Sequence, residues 1–253
     1  MAANIESKQI GPAQPFVGCS RDASCRKTIE VFKKKLSQLS PLTGQRVLDV
    51  GCGEGSFTVA VTGSFTEVHA IDVQEQGLSK FRARVNGNPR FRIQPMSASA
   101  MTFADGFFDT IISIETLEHI PDLPGAIGEF ARVLRPGGEC LITVPNRLFP
   151  FENHGMKIGQ REFARRIPLL PYIPPLHDRL SLARVFTVRT LDRIFLAKGF
   201  SRAALGYLWP TFEHGGNALQ PLLKPLFGLM RRMEESPLRM FGTSIVVRYV
   251  KRI

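Results

Sequence analysis

Two short runs hold most of the side chains in this 253-residue chain that could do chemistry. In the first, Glu115-Thr-Leu-Glu118-His119, two carboxylates and an imidazole fall at i, i+3 and i+4, which a helical turn brings to one face. The second, Phe149-Pro-Phe-Glu152-Asn-His154, adds another carboxylate and imidazole. Such a set suits a hard or borderline divalent metal, so Glu115, Glu118, His119 and His154 are candidate ligands for Mg, Mn or Zn. Without a metal, a positioned imidazole accepts a proton from the reacting group. His154 is then the first candidate for a general base, assisted by Glu152, with His119 second. A third reading is structural: the Glu-His pair braces its own loop. His177 and Arg179, in a proline-rich stretch with Asp178, are candidates for binding an anionic group of a substrate, against the plainer reading of a surface loop. His69 reads as structural, and His214 has no evident partner in the sequence.

A different chemistry is written at Asp49-Val-Gly51-Cys52-Gly53-Glu-Gly55, where a strand-like run meets a helical one. Glycines at such a turn let backbone approach a ligand closely. The dinucleotide fingerprint GxGxxG fails, because position 56 is Ser. A carboxylate at Asp49 would repel a diphosphate and favour a cationic ligand. Asp72 closes the next strand, 21 residues after Gly51, where a carboxylate can take both hydroxyls of a ribose. The pattern asks for a ligand with a ribose and a cationic end.

These runs must be positioned by the elements around them. Strand-like segments at 46–50, 67–73, 90–94, 108–114 and 139–144 alternate with helical stretches at about 56–62, 75–85 and 122–134. A helix over 26–39 precedes them, with Ile29, Phe32, Leu36 and Leu39 on one face. This alternation predicts an α/β fold with a doubly wound parallel sheet, whose ligands sit beyond the carboxyl ends of the strands. Arg135–Gly138 and Asp109 fall at the opposite end and read as structural. After Pro145 the rhythm breaks into an irregular, proline-rich stretch over 146–186. A helix at about 188–198 follows, then strand-like 200–208 and 243–250. The expected organisation is a loose arm over 1–25 and a single domain over 26–253. Insertions at 146–187 and 209–242, the second with a Leu/Met stripe over 219–233, are expected to form a substrate lid.

Composition narrows the class. Hydrophobic residues make up 43% and charged residues 22%, ordinary globular usage that excludes disorder, collagen and coiled coil. The sequence lacks an apolar run long enough to span a bilayer and a signal-peptide build at its start. Four cysteines show no zinc-type spacing; Cys52 and Cys140 read as small buried apolar residues, and a reduced, cytoplasmic protein is expected. The net charge of +11 lies wholly in residues 146–253, because 15 Lys/Arg balance 15 Asp/Glu before them. A phosphorylated substrate, an anionic membrane surface and RNA are therefore candidate partners, against a merely solvated basic face.

The motifs together identify a resemblance. VLDVGCGEGSF (47–57), AIDV (70–73), ADGFFDTIISIETLEHIPD (104–122) and LRPGG (134–138) resemble, in order and spacing, the class I S-adenosylmethionine-dependent methyltransferases. The resemblance covers about residues 45–145. It implies a Rossmann-like seven-stranded sheet of order 3-2-1-4-5-7-6 with the last strand antiparallel. It also implies S-adenosylmethionine as cofactor, with the methionine end at Asp49, Gly51, Cys52 and Gly53, and the ribose at Asp72 and Val73. Adenine would lie around Ser97 and Ala98, and Ile114 and Glu115 would complete the cofactor site. At the position of Ser97 the family often carries Asp. The ExxEH run is similar to that of metal-dependent members, including ubiquinone-pathway O-methyltransferases and small-RNA 2′-O-methyltransferases, while relatives without metal use it as a brace. The leading expectation is methyl transfer, foremost O-methylation, to a hydrophobic small molecule such as a quinone, polyketide, isoprenoid or lipid precursor with an acidic or phosphorylated head. Alternatives are an RNA 2′-O-methyltransferase and a non-catalytic binding module of the same fold.

Overall fold

The computed structural model describes residues 23–152, 154–158, 161–163, 167–209, 233 and 236–253. Most of the expected arm, nearly all of the stripe over 219–233 and His214 lie outside them, as does most of the second insertion.

Helix α1 (Ala23–Leu39) leads into β1 (Thr43–Val50), α2 (Ser56–Val61), β2 (Ser64–Asp72), α3 (Glu75–Val85) and β3 (Phe91–Pro95). Then come β4 (Phe108–Ile114), a 3-10 turn at Leu117–His119, α4 (Leu123–Val133) and β5 (Leu134–Pro145). The hydrogen-bonded order is β3-β2-β1-β4-β5 followed by the two C-terminal strands, β11 (Ser244–Lys251) and then β10 (Phe200–Leu208). Counting only strands of this sheet, the order is 3-2-1-4-5-7-6, with β11 antiparallel to both of its neighbours.

Adjacent buried residues on the central strands point to opposite faces, as the two-residue period of a strand requires. Val47, Ile112, Leu141 and Val246 pack on one side with Leu36 of α1; Leu48, Ile111, Ile142 and Val247 pack on the other with Ile127 and Phe130 of α4. Both faces are covered, so the strands read as nearly continuous apolar runs. Helix α4 starts at an Asp122 N-cap whose carboxylate accepts from the Gly125 N–H at 2.9 Å. It ends at Val133, and Leu134, expected in the helix, opens β5. Helix α6 (Val188–Ala197) is held by a Thr187/Thr190 capping box and is followed by Gly199 at φ +85°.

The turn expected at 135–138 falls inside β5. Phe108 pairs with Leu134 and Thr110 with Glu139, so the ladder jumps there. Asp109 sits at this jump and accepts from the Gln45 and Arg46 N–H groups (3.0 and 2.8 Å) and from Arg135 Nε (2.7 Å). His69 is buried edge-on to Phe103, Phe107 and Phe108, in the structural role expected of it.

The stretch after Pro145 is more ordered than its composition suggests. β6 (Phe151–Glu152) pairs with β9 (Ile167–Pro168), β7 (Met156–Ile158) pairs with β8 (Arg161–Phe163), and α5 (Pro174–Leu180) follows. Bridges from Met156 to Ser181 and from Asn146 to Phe186 fasten it to itself and to the end of β5. No helix among the described residues is long and apolar enough to cross a membrane.

Candidate active site

The site lies where β1, β2, β3, β4 and β5 all deliver their carboxyl ends. After β1 the chain turns back so that the Gly51 and Cys52 N–H groups donate to Ile71 O at 2.8 and 3.1 Å. Gly51 has φ +79°, and a Cβ there would stand 2.2 Å from Thr116 Cγ2, so only glycine lets the β1 and β4 turns approach this closely. Gly53, at φ +51°, has nothing within 4 Å of where a Cβ would be. Its N–H donates to Asp72 Oδ2 at 2.9 Å, and the Gln74 N–H donates to Asp72 Oδ1 at 2.9 Å. Two backbone donors thus fix the Asp72 carboxylate at the rim of an open glycine turn. Each carboxylate oxygen keeps accepting capacity for a ligand hydroxyl. Val73, next to it, is exposed. Beyond β3, the Met96 N–H donates to Asp72 O, and exposed Ser97 takes the Ser99 N–H on its hydroxyl while Ala98 packs on the core.

Asp49 is buried below this turn, and Thr58 Oγ1 donates to its Oδ2 at 2.6 Å. Burial raises its carboxyl to about 7, the Thr58 bond opposes that, and the neighbouring Asp72 charge adds to it. Thr58 was not singled out in the sequence; a hydroxyl in the first turn of the helix after the glycines is the signal that would have found it. Cys52 is a buried free thiol, and burial pushes its pKa up.

After β4 the backbone bends sharply at Glu115, at φ +49°. Ile114 is packed into the core, the Glu115 N–H donates to Thr143 Oγ1 at 3.1 Å, and the buried Glu115 Oε1 has no hydrogen-bond partner among the described residues. Burial first, and the Glu118 charge second, raise the Glu115 carboxyl. The 3-10 turn then presents Glu118, fully buried, and His119. Neither Glu118 oxygen has a hydrogen-bond donor among the described residues. Instead His154 Nε2 stands 3.6 Å and His119 Nε2 3.9 Å from its Oε1. One ligating atom each of Glu118, His119 and His154 lie within 4.8 Å of one another, so three of the four expected metal ligands converge.

Glu152 is buried behind His154. Its Oε1 takes the His154 backbone N–H at 2.7 Å and stands 3.4 Å from Nδ1. Burial alone would lower the pKa of His154; Glu118 and Glu152 more than offset it and push it up to about 10. His154 therefore holds its proton at neutral pH in this arrangement, so service as a base needs that proton to leave first. Burial would raise Glu152, but its bonds to His154 and His177 hold it well below the usual carboxylate range.

His177 corrects an expectation. It is neither on a surface loop nor open to an anionic substrate: it is fully buried on α5, with Nε2 2.6 Å from Glu152 Oε2. Arg179, on the same short helix, is exposed and stands apart from that pair. Arg184 was missed. Its guanidinium donates to Ile120 O and to Pro121 O (3.1 Å), and its N–H donates to Glu118 O at 3.3 Å, which ties the Glu118 turn to the chain after α5. Nothing in the local sequence marks an arginine whose partners are 63 and 64 residues away.

Comparison with known proteins agrees with this geometry. Residues 48–142 match the family described as "Methyltransferase domain". A ubiquinone biosynthesis O-methyltransferase of Psychrobacter arcticus is 29% identical over 168 residues, 64% of this chain and 61% of that protein. An O-methyltransferase of Penicillium expansum is 34% identical over 136 residues, 50% of this chain and 49% of that protein. The chain thus spans about half to three fifths of the length of these curated relatives. Among solved structures, an S-adenosylmethionine-dependent methyltransferase of Mesorhizobium loti superposes with a TM-score of 0.60 at 17% identity, over 92% of this chain and all of that one. The fold is of the Rossmann-like, doubly wound kind. More narrowly, residues 48–142 are similar to a methyltransferase domain, and the fold is one shared with an S-adenosylmethionine-dependent methyltransferase.

Proposed function

We propose that this chain transfers a methyl group from S-adenosylmethionine to a hydroxyl oxygen of a lipophilic small molecule with an acidic or phosphorylated head. The observation that carries this reading is the adjacency of two sites on one sheet edge. Gly51, against Thr116, joins the Asp49–Gly53–Asp72 cradle to the strand-four turn that presents Glu118 and His119. In the cradle, Asp72 is aligned by two backbone donors for ribose hydroxyls, Gly53 leaves room for the ligand, and Asp49 supplies the negative charge that a cationic methionine end needs.

The bound cofactor supplies an electrophilic methyl on a sulfonium. The acceptor oxygen forms a bond to that carbon as the carbon–sulfur bond breaks, and the electron pair stays on the neutral thioether product. The acceptor proton must then go to the protein or to water. Holding the oxygen about 3–3.5 Å from the methyl carbon supplies much of the rate. His154, held by Glu152, would be the base once its own proton has left, with His119 beside it as the second candidate.

The Glu118–His119–His154 trio also fits a divalent cation. The charge of the fully buried Glu118 carboxylate is met by the proton on His154 or, once both imidazoles are neutral, by a bound cation. Two imidazoles with one carboxylate favour a borderline ion such as Zn or Mn over Mg. Glu118, His119 and His154 would hold it, and it would lower the pKa of an acceptor hydroxyl. The insertion over 146–187 would act as the lid. Phe151, Ile158, Leu169, Tyr172, Ile173 and Leu176 are between 41% and 57% exposed, an apolar surface suited to a lipophilic acceptor or to peripheral contact with an anionic membrane.

The test is label transfer from methyl-labelled S-adenosylmethionine to a lysate split into organic-extractable, RNA and protein fractions, with and without a chelator. Label in the organic fraction supports the reading. Label confined to RNA or protein overturns the acceptor class, and a rate indifferent to chelation and to Glu118→Gln overturns the metal.

A further inference from the structure

Glu152 is the hinge of a five-residue chain that the reaction as described uses only in part. Its Oε1 grips His154, and its Oε2 is taken by His177 Nε2 at 2.6 Å. The far ring nitrogen of His177 lies 3.4 Å from Asp178 Oδ1. Beyond His154, the chain ends at Glu118, 3.6 Å from Nε2. Glu118, Glu152 and His177 are all buried, where the low dielectric makes each hydrogen bond between them matter more.

The elements that carry the chain are tied from several directions. Ile173 O takes the His177 N–H at 2.8 Å in the first turn of α5, after two prolines that start the helix. Beyond α5, Ser181 bridges to Met156, two residues past His154, and Arg184 locks the turn that bears Glu118. Helix α5 thus brings His177 to a carboxylate 25 residues upstream.

We propose that His177 is a positioning residue of the acceptor site: it fixes the Glu152 carboxylate, which in turn orients the His154 ring toward Glu118. This rests on the reading of His154 as part of that site. A carboxylate with one oxygen on His177 and the other on the His154 N–H has no freedom to rotate. Its Oε1 then faces Nδ1 and leaves Nε2 pointing to Glu118 and His119. Without His177, Oε2 is a buried charge with its 2.6 Å donor gone; the carboxylate turns to find water, and the His154 ring loses its reference. Groups that support a site histidine in this way are worth about 10–100-fold in function. A purely structural pair would lower stability and leave the His154 ring where it is.

The test uses the full chain labelled with ¹⁵N. Long-range ¹H–¹⁵N spectra resolve the ring nitrogens of its five histidines, and His154→Gln identifies the His154 signals by their loss. In His177→Phe the His154 ring signals shift. The initial rate of label transfer to the organic extract falls about 10-fold or more, while calorimetric affinity for S-adenosylmethionine stays within about twofold. In His177→Gln, whose amide still donates to Glu152, both rate and ring signals move back toward wild type. Unmoved His154 signals in His177→Phe overturn the proposal, whatever happens to the melting temperature. If that variant does not fold, unmoved signals in Glu152→Gln overturn it equally. Wild-type label transfer by His154→Gln would instead remove His154 from the reaction, and the ring signals would still decide what His177 does.

Discussion

The Gly53 N–H donates to Asp72 Oδ2 at 2.9 Å, joining the turn after the first strand to the end of the second. One carboxylate thereby shapes the glycine turn. Asp72→Ala removes the acceptor for two backbone donors, Gly53 and Gln74, and with it the proposed ribose contact. Hydrogen bonds to a charged group contribute about 1.5–3 kcal/mol, so the affinity for S-adenosylmethionine falls roughly 10- to 150-fold. Both orphaned N–H groups lie at a solvent-accessible rim, so the melting temperature changes little. Calorimetry with S-adenosylmethionine checks this; an unchanged affinity removes Asp72 from the cofactor site.

Gly51→Ala meets two obstacles at once. The left-handed backbone at φ +79° costs a residue with a Cβ about 1–2 kcal/mol, and that Cβ would overlap Thr116 Cγ2. The expected result is a loss of about 2–4 kcal/mol in unfolding free energy, with the β1 and β4 turns pushed apart. Thr116→Gly in the same chain relieves the overlap but not the backbone strain, so it restores part of the loss. Denaturant melts of the two single variants and the double variant measure that coupling, and strict additivity would mean that the two turns do not touch.

How much of this could be read beforehand differs by element. Strands β1 to β5 and helices α2 to α4 are visible because each buries a periodic set of apolar residues, and period is what a sequence displays. The 3-2-1-4-5-7-6 order is not carried by periodicity; it followed from the resemblance of the motifs. The ribbons of two or three residues after Pro145 are too short to show a period, so they read as irregular. His177 went wrong for a related reason. Whether a histidine faces solvent or a buried carboxylate depends on a partner 25 residues away, and the local Pro-Pro-Leu-His-Asp-Arg run looks like a surface turn either way. Glu118, His119 and His154 come together because two lie in one turn and the third follows the neighbouring strand, while Glu115, expected with them, is not in that group.

Asp109 separates fold from function at the far end of the sheet. Its carboxylate accepts from the Gln45 and Arg46 N–H groups and from Arg135 Nε. Asp109→Ala is expected to cost about 1.5–3 kcal/mol of stability and to leave cofactor affinity unchanged. Partial burial would raise this carboxyl, but the three donors hold it below its ordinary value of 3.8. An acid with a depressed folded-state pKa contributes stability at neutral pH that is lost as pH falls below that value. Wild type and variant should therefore converge in acid. Denaturant melts at neutral and acidic pH check the convergence, and a gap that persists in acid would place the effect elsewhere.

Asp49 is expected to make S-adenosylmethionine binding sensitive to pH near neutrality. Burial raises its carboxyl from 3.8 to about 7, against the Thr58 bond and with help from the Asp72 charge. The sign follows from which state holds the proton. Between those two values the folded chain keeps a proton that the unfolded chain has lost, so stability falls as pH rises across that window. A cationic ligand prefers the ionised carboxylate. Its binding near pH 7 should release a proton, and affinity should tighten as pH rises, approaching tenfold per unit below the pKa and levelling off above it. Asp49→Asn removes the titrating group, so that affinity becomes weaker and flat with pH. Thr58→Val removes the hydroxyl that lowers the pKa and moves the midpoint upward. Calorimetry of S-adenosylmethionine binding from about pH 6 to about pH 8, in buffers of differing ionisation enthalpy, reads both affinity and proton release. A wild-type profile as flat as that of Asp49→Asn would mean that the Asp49 carboxyl does not feel the cationic end of the ligand.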